Sequence, residues 1–233
     1  MTVCLAYIDK NTGEAWVGSD SCASDSISHS IVNNHKCFNP VGRRDIVMAC
    51  AGTFRLPNLL EYIPGIFPDE SELPTEQIDI GYLVNEFTPV LNALVDDFDE
   101  DDAWELLIAV NKKIYRVQMD LSIVESADDA DAIGIGGMVA LGAFKVLNDL
   151  APDMGIELKL KYSLEVACKS CQGCQPPFRI CKTEQIPEDI ITKQKSSSSE
   201  RPKRGYSIVR HQKDSDDDKP KKKKKAIKSF NKL

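Results

Sequence analysis

The β-prone runs of this chain come in adjacent pairs, and so do its helical runs. TVCLAYID and EAWVGSD flank KNTG, where Asn11 to Gly13 supply turn chemistry, so a hairpin is expected there. ELLIAV and KIYRV flank Asn111 and Lys112 as a second hairpin. Another strand is expected within SIVNNHKCFN, and RRDIVMACAG reads as a buried strand ending at Gly52. FRLPNLLEYI reads as a helix, and the Pro-, Glu- and Asp-rich residues 66–78 as a loop. Ile80, Leu83, Val84, Phe87, Val90, Leu91, Leu94 and Val95 recur at three and four, the spacing of an amphipathic helix, with Pro89 as a kink. SIVES is a short strand, and DAIGIGG a strand entering a glycine turn. MVALGAFKVLNDL and LKLKYSLEVACKSC are helices, and PFRICKTEQI is a late strand. Strands in hairpins and helices in consecutive pairs exclude a doubly wound sheet. They predict an α+β domain over residues 1–189: two antiparallel sheets face to face, a pair of helices on each outer face.

Charge separates this body from the remainder. Residues 193–233 hold 15 Lys/Arg against 5 Asp/Glu, which leaves residues 1–192 at −17 within a total of −7. The tail over 190–233 has little apolar content and is expected to be disordered, because it cannot bury enough surface to offset ordering. Its run Lys221, Lys222, Lys223, Lys224 and Lys225 suits nucleic-acid phosphates or an acidic partner; a solvated tail is the plainer reading. The run also has the composition of a nuclear localisation signal, and DSDDD ahead of it offsets part of its charge. No apolar stretch has membrane-spanning length, and the first twenty residues lack the zones of a secretory signal. A cytoplasmic protein with its eight cysteines reduced is expected.

The second residue draws attention. Methionine is normally trimmed before a small residue, which would expose Thr2 as the first residue of the first strand. A threonine hydroxyl is a weak nucleophile, but an α-amine on the same residue, with a pKa of about 8, can serve as its base. Such a site needs a cation, an acid to hold that cation, and an oxyanion donor. Lys36 in NNHKCF, Asp20 in GSDS and the Gly52 N–H in ACAGTF are the candidates. The plainer readings are a turn-capping Asp20 and a solvated Lys36 on an edge strand.

Taken together these residues resemble the proteasome β-type family of N-terminal nucleophile hydrolases, particularly the HslV peptidases. The resemblance runs over roughly residues 2–185: Thr2 opening the first strand, Asp20-Ser21 ending the second, Lys36, the Ala-Gly of ACAG, and AIGIGG before a helix. It implies the four-layer αββα sandwich and a threonine-type peptidase, with Thr2 as nucleophile, Asp20 and Lys36 as its support, and Gly52 at the oxyanion hole. Ser21 and Ser24 match positions beside the substrate strand. The resemblance further implies a polypeptide substrate, a homo-oligomeric ring and a separate ATP-driven unfoldase, and it calls for no cofactor. The chain departs from the pattern in three places. Ile135 stands where the family has a serine that relays a proton, and Ser170 and Gly173 stand where it has a later Asp and Ser.

Those departures support a second reading, a catalytically inactive assembly or interaction module with a basic tail. Hydrolysis of a small amide is a third. Cys168, Cys171 and Cys174 have a spacing that suits zinc or an iron–sulfur cluster. At the end of a helix, cysteine more often packs as a small hydrophobe. The histidines His29, His35 and His211 show no ligand spacing, and GIGG lacks the context of a nucleotide loop.

Overall fold

A computed structural model of the chain describes residues 1–24, 28–99 and 102–184. The expected boundary at 189/190, the tail over 190–233 and Lys221 to Lys225 lie outside the described residues.

The first hairpin pairs β1 (Cys4–Ile8) with β2 (Ala15–Ser19), Cys4 opposite Ser19 and Ile8 opposite Ala15. Asp9 closes its turn by accepting hydrogen bonds from the Asn11 N–H (3.0 Å) and the Thr12 hydroxyl (2.8 Å). Beyond β2, β3 (Cys22–Ser24) and β4 (His29–Ile31) form a small hairpin of their own. The single strand expected in SIVNNHKCFN is therefore two: β4, and β5 (Cys37–Phe38) after the bends at Asn33 and Asn34. Next come β6 (Val47–Gly52), α1 (Arg55–Tyr62), α2 (Ile80–Tyr82) and α3 (Thr88–Val95). The second large hairpin is β7 (Trp104–Val110) with β8 (Lys113–Gln118), followed by β9 (Ile123–Glu125) and β10 (Ala130–Ile133). The described chain ends with α4 (Gly137–Leu150), α5 (Ile156–Ser170) and β11 (Arg179–Lys182).

All pairings are antiparallel. One sheet has the order β10-β1-β2-β11, the other β5-β6-β7-β8-β9. Period-two alternation divides each sheet between two cores. Cys4, Ala6, Ile8, Ala15 and Val17 from the first sheet share one apolar cluster with Val47, Ala49, Leu107 and Ala109 from the second. On the other face of the first sheet, Val3, Leu5 and Tyr7 pack with Phe144 of α4 and Leu160 and Leu164 of α5. On the other face of the second, Met48, Leu106 and Ile108 pack with Leu56 and Leu60 of α1 and with Phe87 and Leu91. Alanine, valine and cysteine predominate between the sheets, and the aromatic residues of these clusters lie beneath the helices. Each fully buried Leu, Ile or Phe contributes about 1.5–3 kcal/mol.

The expected kink at Pro89 takes a defined form. Between α2 and α3, Leu83–Phe87 is a π-helical turn, and the Leu83 carbonyl accepts from both the N–H and the hydroxyl (2.9 Å) of Thr88. Proline has no N–H to donate and its ring crowds the carbonyl four residues back. Widening the turn accommodates both effects.

A buried ion pair ties the start of β6 to the loop after α1. Arg43 donates from Nε and Nη2 to Asp45 (2.8 and 2.6 Å) and from Nη1 to the Pro68 carbonyl (2.8 Å). Thr75 donates its hydroxyl to the same carboxylate (2.6 Å). Among the described residues no helix is long and apolar enough to cross a membrane.

Candidate active site

The first hairpin continues past its last strand pair, and this brings the expected groups together. The Asp20 N–H donates to the Val3 carbonyl (3.2 Å), while the Val3 N–H donates to Asp20 Oδ1 (3.1 Å). Thr2 is only 4 % exposed and lies one residue from this bridge. Asp20, 1 % exposed, spends its other acceptor capacity on Lys36 Nζ (2.8 Å) and on the N–H groups of Cys22 (3.1 Å) and Gln175 (3.3 Å). The carboxylate is thus held by three separate segments of backbone and one ammonium. Burial of an ionised carboxylate demands this kind of satisfaction.

Lys36, 3 % exposed, reaches inward from the residue before β5. The Cys50 N–H fixes its backbone by donating to its carbonyl (2.8 Å). Its ammonium also donates to the Met1 carbonyl (3.4 Å) and sits 5.8 Å from the centre of the Phe54 ring. Lys36 is therefore a buried cation pointed at the peptide bond that precedes Thr2, and not a solvated edge charge. Asp20 is its partner as well as a turn residue.

The turn after β10 encloses Thr2 from the other side. The Gly136 N–H donates to the Thr2 carbonyl (3.2 Å). At Gly134, with φ of +80°, a Cβ would stand 2.4 Å from that same carbonyl oxygen, so only glycine fits. Its N–H donates to the Glu105 carboxylate (3.2 Å). Ile135 between the two glycines is 61 % exposed and brings no hydroxyl. Gly52 ends β6 opposite Trp104 with φ of +103°, and a Cβ there would lie 2.0 Å from the Ala103 carbonyl oxygen. Its neighbour Ala51 abuts Gly134.

Ser24 accepts a hydrogen bond from the Met1 amine (2.6 Å). Ser21 is held by its backbone, donating to the Gln175 carbonyl (3.1 Å) and accepting from the Val32 N–H (3.0 Å). With Asp20, Lys36, His35 and Arg179 it lines a cleft of about 280 Å³. Gly173 lies against Met1 and Ser24, whereas Ser170 turns its hydroxyl back to the Val166 carbonyl of its own helix (3.1 Å). The Cys168–Cys174 run packs in the apolar cluster beneath α4 and α5, and burial pushes the Cys168 and Cys174 thiols up to about 12. Among the described residues no group of three His, Cys, Asp or Glu is placed to hold a metal ion. Glu105 and Gln175 were not singled out by sequence, since each reaches the site from a distant element without local pattern.

No family model matches the sequence, and no curated protein matches it. Among solved structures the chain is similar to BPH from Thiobacillus denitrificans in complex with epoxomicin, at 20 % identity and TM-score 0.60, covering 80 % of this chain and 100 % of that one. It is similar to eukaryotic HslV from Trypanosoma brucei at 17 % identity and TM-score 0.56, covering 79 % and 100 %. Anbu, an ancestral beta-subunit, from Yersinia bercovieri matches at 14 % identity and TM-score 0.55, covering 78 % and 81 %. The chain has the fold of these three proteins.

Proposed function

We propose that the chain is a threonine-type amide hydrolase built on a four-layer αββα sandwich, with Thr2 as nucleophile once Met1 has been removed. The observation that carries this reading is the Lys36 ammonium, buried against Asp20 (2.8 Å) and 3.4 Å from the carbonyl of the residue that precedes Thr2. With Met1 gone, the freed α-amine would lie beside that ammonium. A neighbouring positive charge favours the neutral amine. The neutral amine takes the proton of the Thr2 hydroxyl as its oxygen attacks a substrate carbonyl. The Gly52 N–H stabilises the oxyanion. Collapse returns the proton to the leaving amine and leaves an ester on Thr2, which water then hydrolyses. Ser21 and Ser24 border the substrate strand. A polypeptide substrate, a homo-oligomeric ring, a separate ATP-driven unfoldase and a cytoplasmic setting complete the reading; a small amide is the alternative substrate.

A second reading, an inactive assembly module, is favoured by Ile135, which supplies no hydroxyl, and by Ser170, whose hydroxyl is committed to its own helix. Epoxomicin, present in the BPH complex, separates the two. Intact mass spectrometry of the purified chain with an epoxyketone of that type should show loss of Met1 and one adduct on Thr2, absent in Thr2→Ala. Retained Met1, or a trimmed chain that never labels, would leave the assembly module as the function.

A further inference from the structure

Two cysteines that the hydrolase reading does not use face each other across the two sheets. Cys37 belongs to β5, the edge of the five-stranded sheet, and Cys181 to β11, the edge of the four-stranded one. Their sulfurs are 3.6 Å apart. Each sulfur also lies close to the opposite strand: Cys37 Sγ is 3.4 Å from the Arg179 carbonyl oxygen, and Cys181 Sγ is 3.4 Å from the Cys37 carbonyl oxygen. We infer that Cys37 and Cys181 form a redox-active dithiol, which peroxide closes into a disulfide joining the two sheets. The inference stands independently of any hydrolase activity.

The two thiols differ in the way such a pair requires. Cys37 is fully buried, and burial raises it well above the ordinary thiol range. Cys181 is lowered, first by the hydrogen bond from Cys37 and then, against the opposing effect of burial, by Arg179 and His35. His35 itself bonds Glu61 (2.6 Å), and the nearby Lys182 and Lys161 bond Glu14 (3.0 Å) and Glu157 (2.6 Å). Cys181 is only partly buried on the edge strand β11, which gives a small oxidant a way in. Cys181 is thus the more acidic and more exposed of the two, suited to attack, and Cys37 the protected resolving thiol.

In the first step the Cys181 thiolate attacks hydrogen peroxide. An S–O bond forms, the O–O bond breaks, and hydroxide leaves to take up a proton as water. In the second, the Cys37 sulfur attacks the Cys181 sulfenic acid; an S–S bond forms, the S–O bond breaks, and the oxygen departs as water with the Cys37 proton. Two thiols and one peroxide give one disulfide and two waters. The sulfurs need to approach by about 1.5 Å to reach bonding distance. Cys37 directly follows Lys36, and its sulfur accepts from the hydroxyl of Ser19, the residue before Asp20 (3.3 Å).

The test is peptide mapping of the full chain without reductant, after titration with hydrogen peroxide. A Cys37–Cys181 linked peptide is expected at the lowest peroxide dose, reversed by dithiothreitol and absent in Cys181→Ser. Cys37→Ser should instead accumulate a dimedone adduct on Cys181. On the unaltered protein, iodoacetamide at mildly acidic pH should label Cys181 ahead of Cys168 and Cys174. Linkage to other cysteines, or a Cys181 that stays reduced while Cys171 oxidises, would overturn the inference. So would a Cys181 alkylated only at pH values where ordinary thiols ionise.

Discussion

At the scale of single residues, the site depends on one buried ion pair, Lys36 with Asp20. Lys36→Met removes the ammonium on Asp20 Oδ1 and, in the proposed trimmed chain, the cation beside the amine of Thr2. Epoxyketone labelling of Thr2 should slow by about tenfold for each unit the amine pKa rises, and the thermal midpoint, followed by circular dichroism, should fall as well. A variant that labels at the native rate would remove Lys36 from the mechanism. Gly134→Ala tests the opposite wall. Its Cβ cannot coexist with the Thr2 carbonyl, and its φ is strained for any other residue. A loss of more than about 1 kcal/mol is expected in urea unfolding, with labelling reduced in the fraction that folds. Thr2, Asp20 and Lys36 were legible because each carries distinctive chemistry on a short stretch. The Gln175 N–H that also holds Asp20 was not, because it arrives from 155 residues away and any residue but proline could supply it. The Cys37–Cys181 contact, 144 residues apart, was hidden for the same reason.

At the scale of elements, turn chemistry decides how cheaply each hairpin closes. Asn111 and Lys112 both have positive φ (50° and 59°), the conformation that matches the twist of a two-residue hairpin. Asparagine tolerates it; lysine does so at a cost. Lys112→Gly should therefore raise stability by up to about 1 kcal/mol, read as a higher urea midpoint with unchanged slope. The β7–β8 hairpin was legible from its apolar runs in spite of the lysine. The β3–β4 hairpin was not: its strands have three residues each and His29–Ile31 is exposed, so neither length nor alternation marks it. The helix over 80–95 was legible from its period. The π-helical form of its bend was not, since Pro89 announces a disruption and leaves open how the backbone resolves it.

At the scale of the whole molecule, a mixed fold with antiparallel sheets could be read from how strands and helices are grouped along the chain. The ion pair of Arg43 with Asp45 had no such signal, because three charged residues in a row carry no period that says which will be buried. Burial by itself would raise the Asp45 carboxyl, but hydrogen bonds from Arg43 and Thr75 outweigh it and hold the group below the usual range. A carboxyl lowered in the folded state adds stability that is fully present above its unfolded value, about 3.9, and is lost as pH falls through the folded value. Asp45→Asn should cost about 3–5 kcal/mol at neutral pH, since it strands a buried guanidinium. The gap between the variant and the native chain should narrow below about pH 4, measured by urea unfolding at both pH values; a pH-independent gap would remove the ionic contribution. The setting of Thr2 has a practical side. Met1 lies against Gly173 and Ser24 and turns its carbonyl toward the Lys36 ammonium. An affinity tag or reporter fused ahead of Met1 would keep the nitrogen of Thr2 locked in a peptide bond, so a leading fusion withholds the very group that an assay needs free.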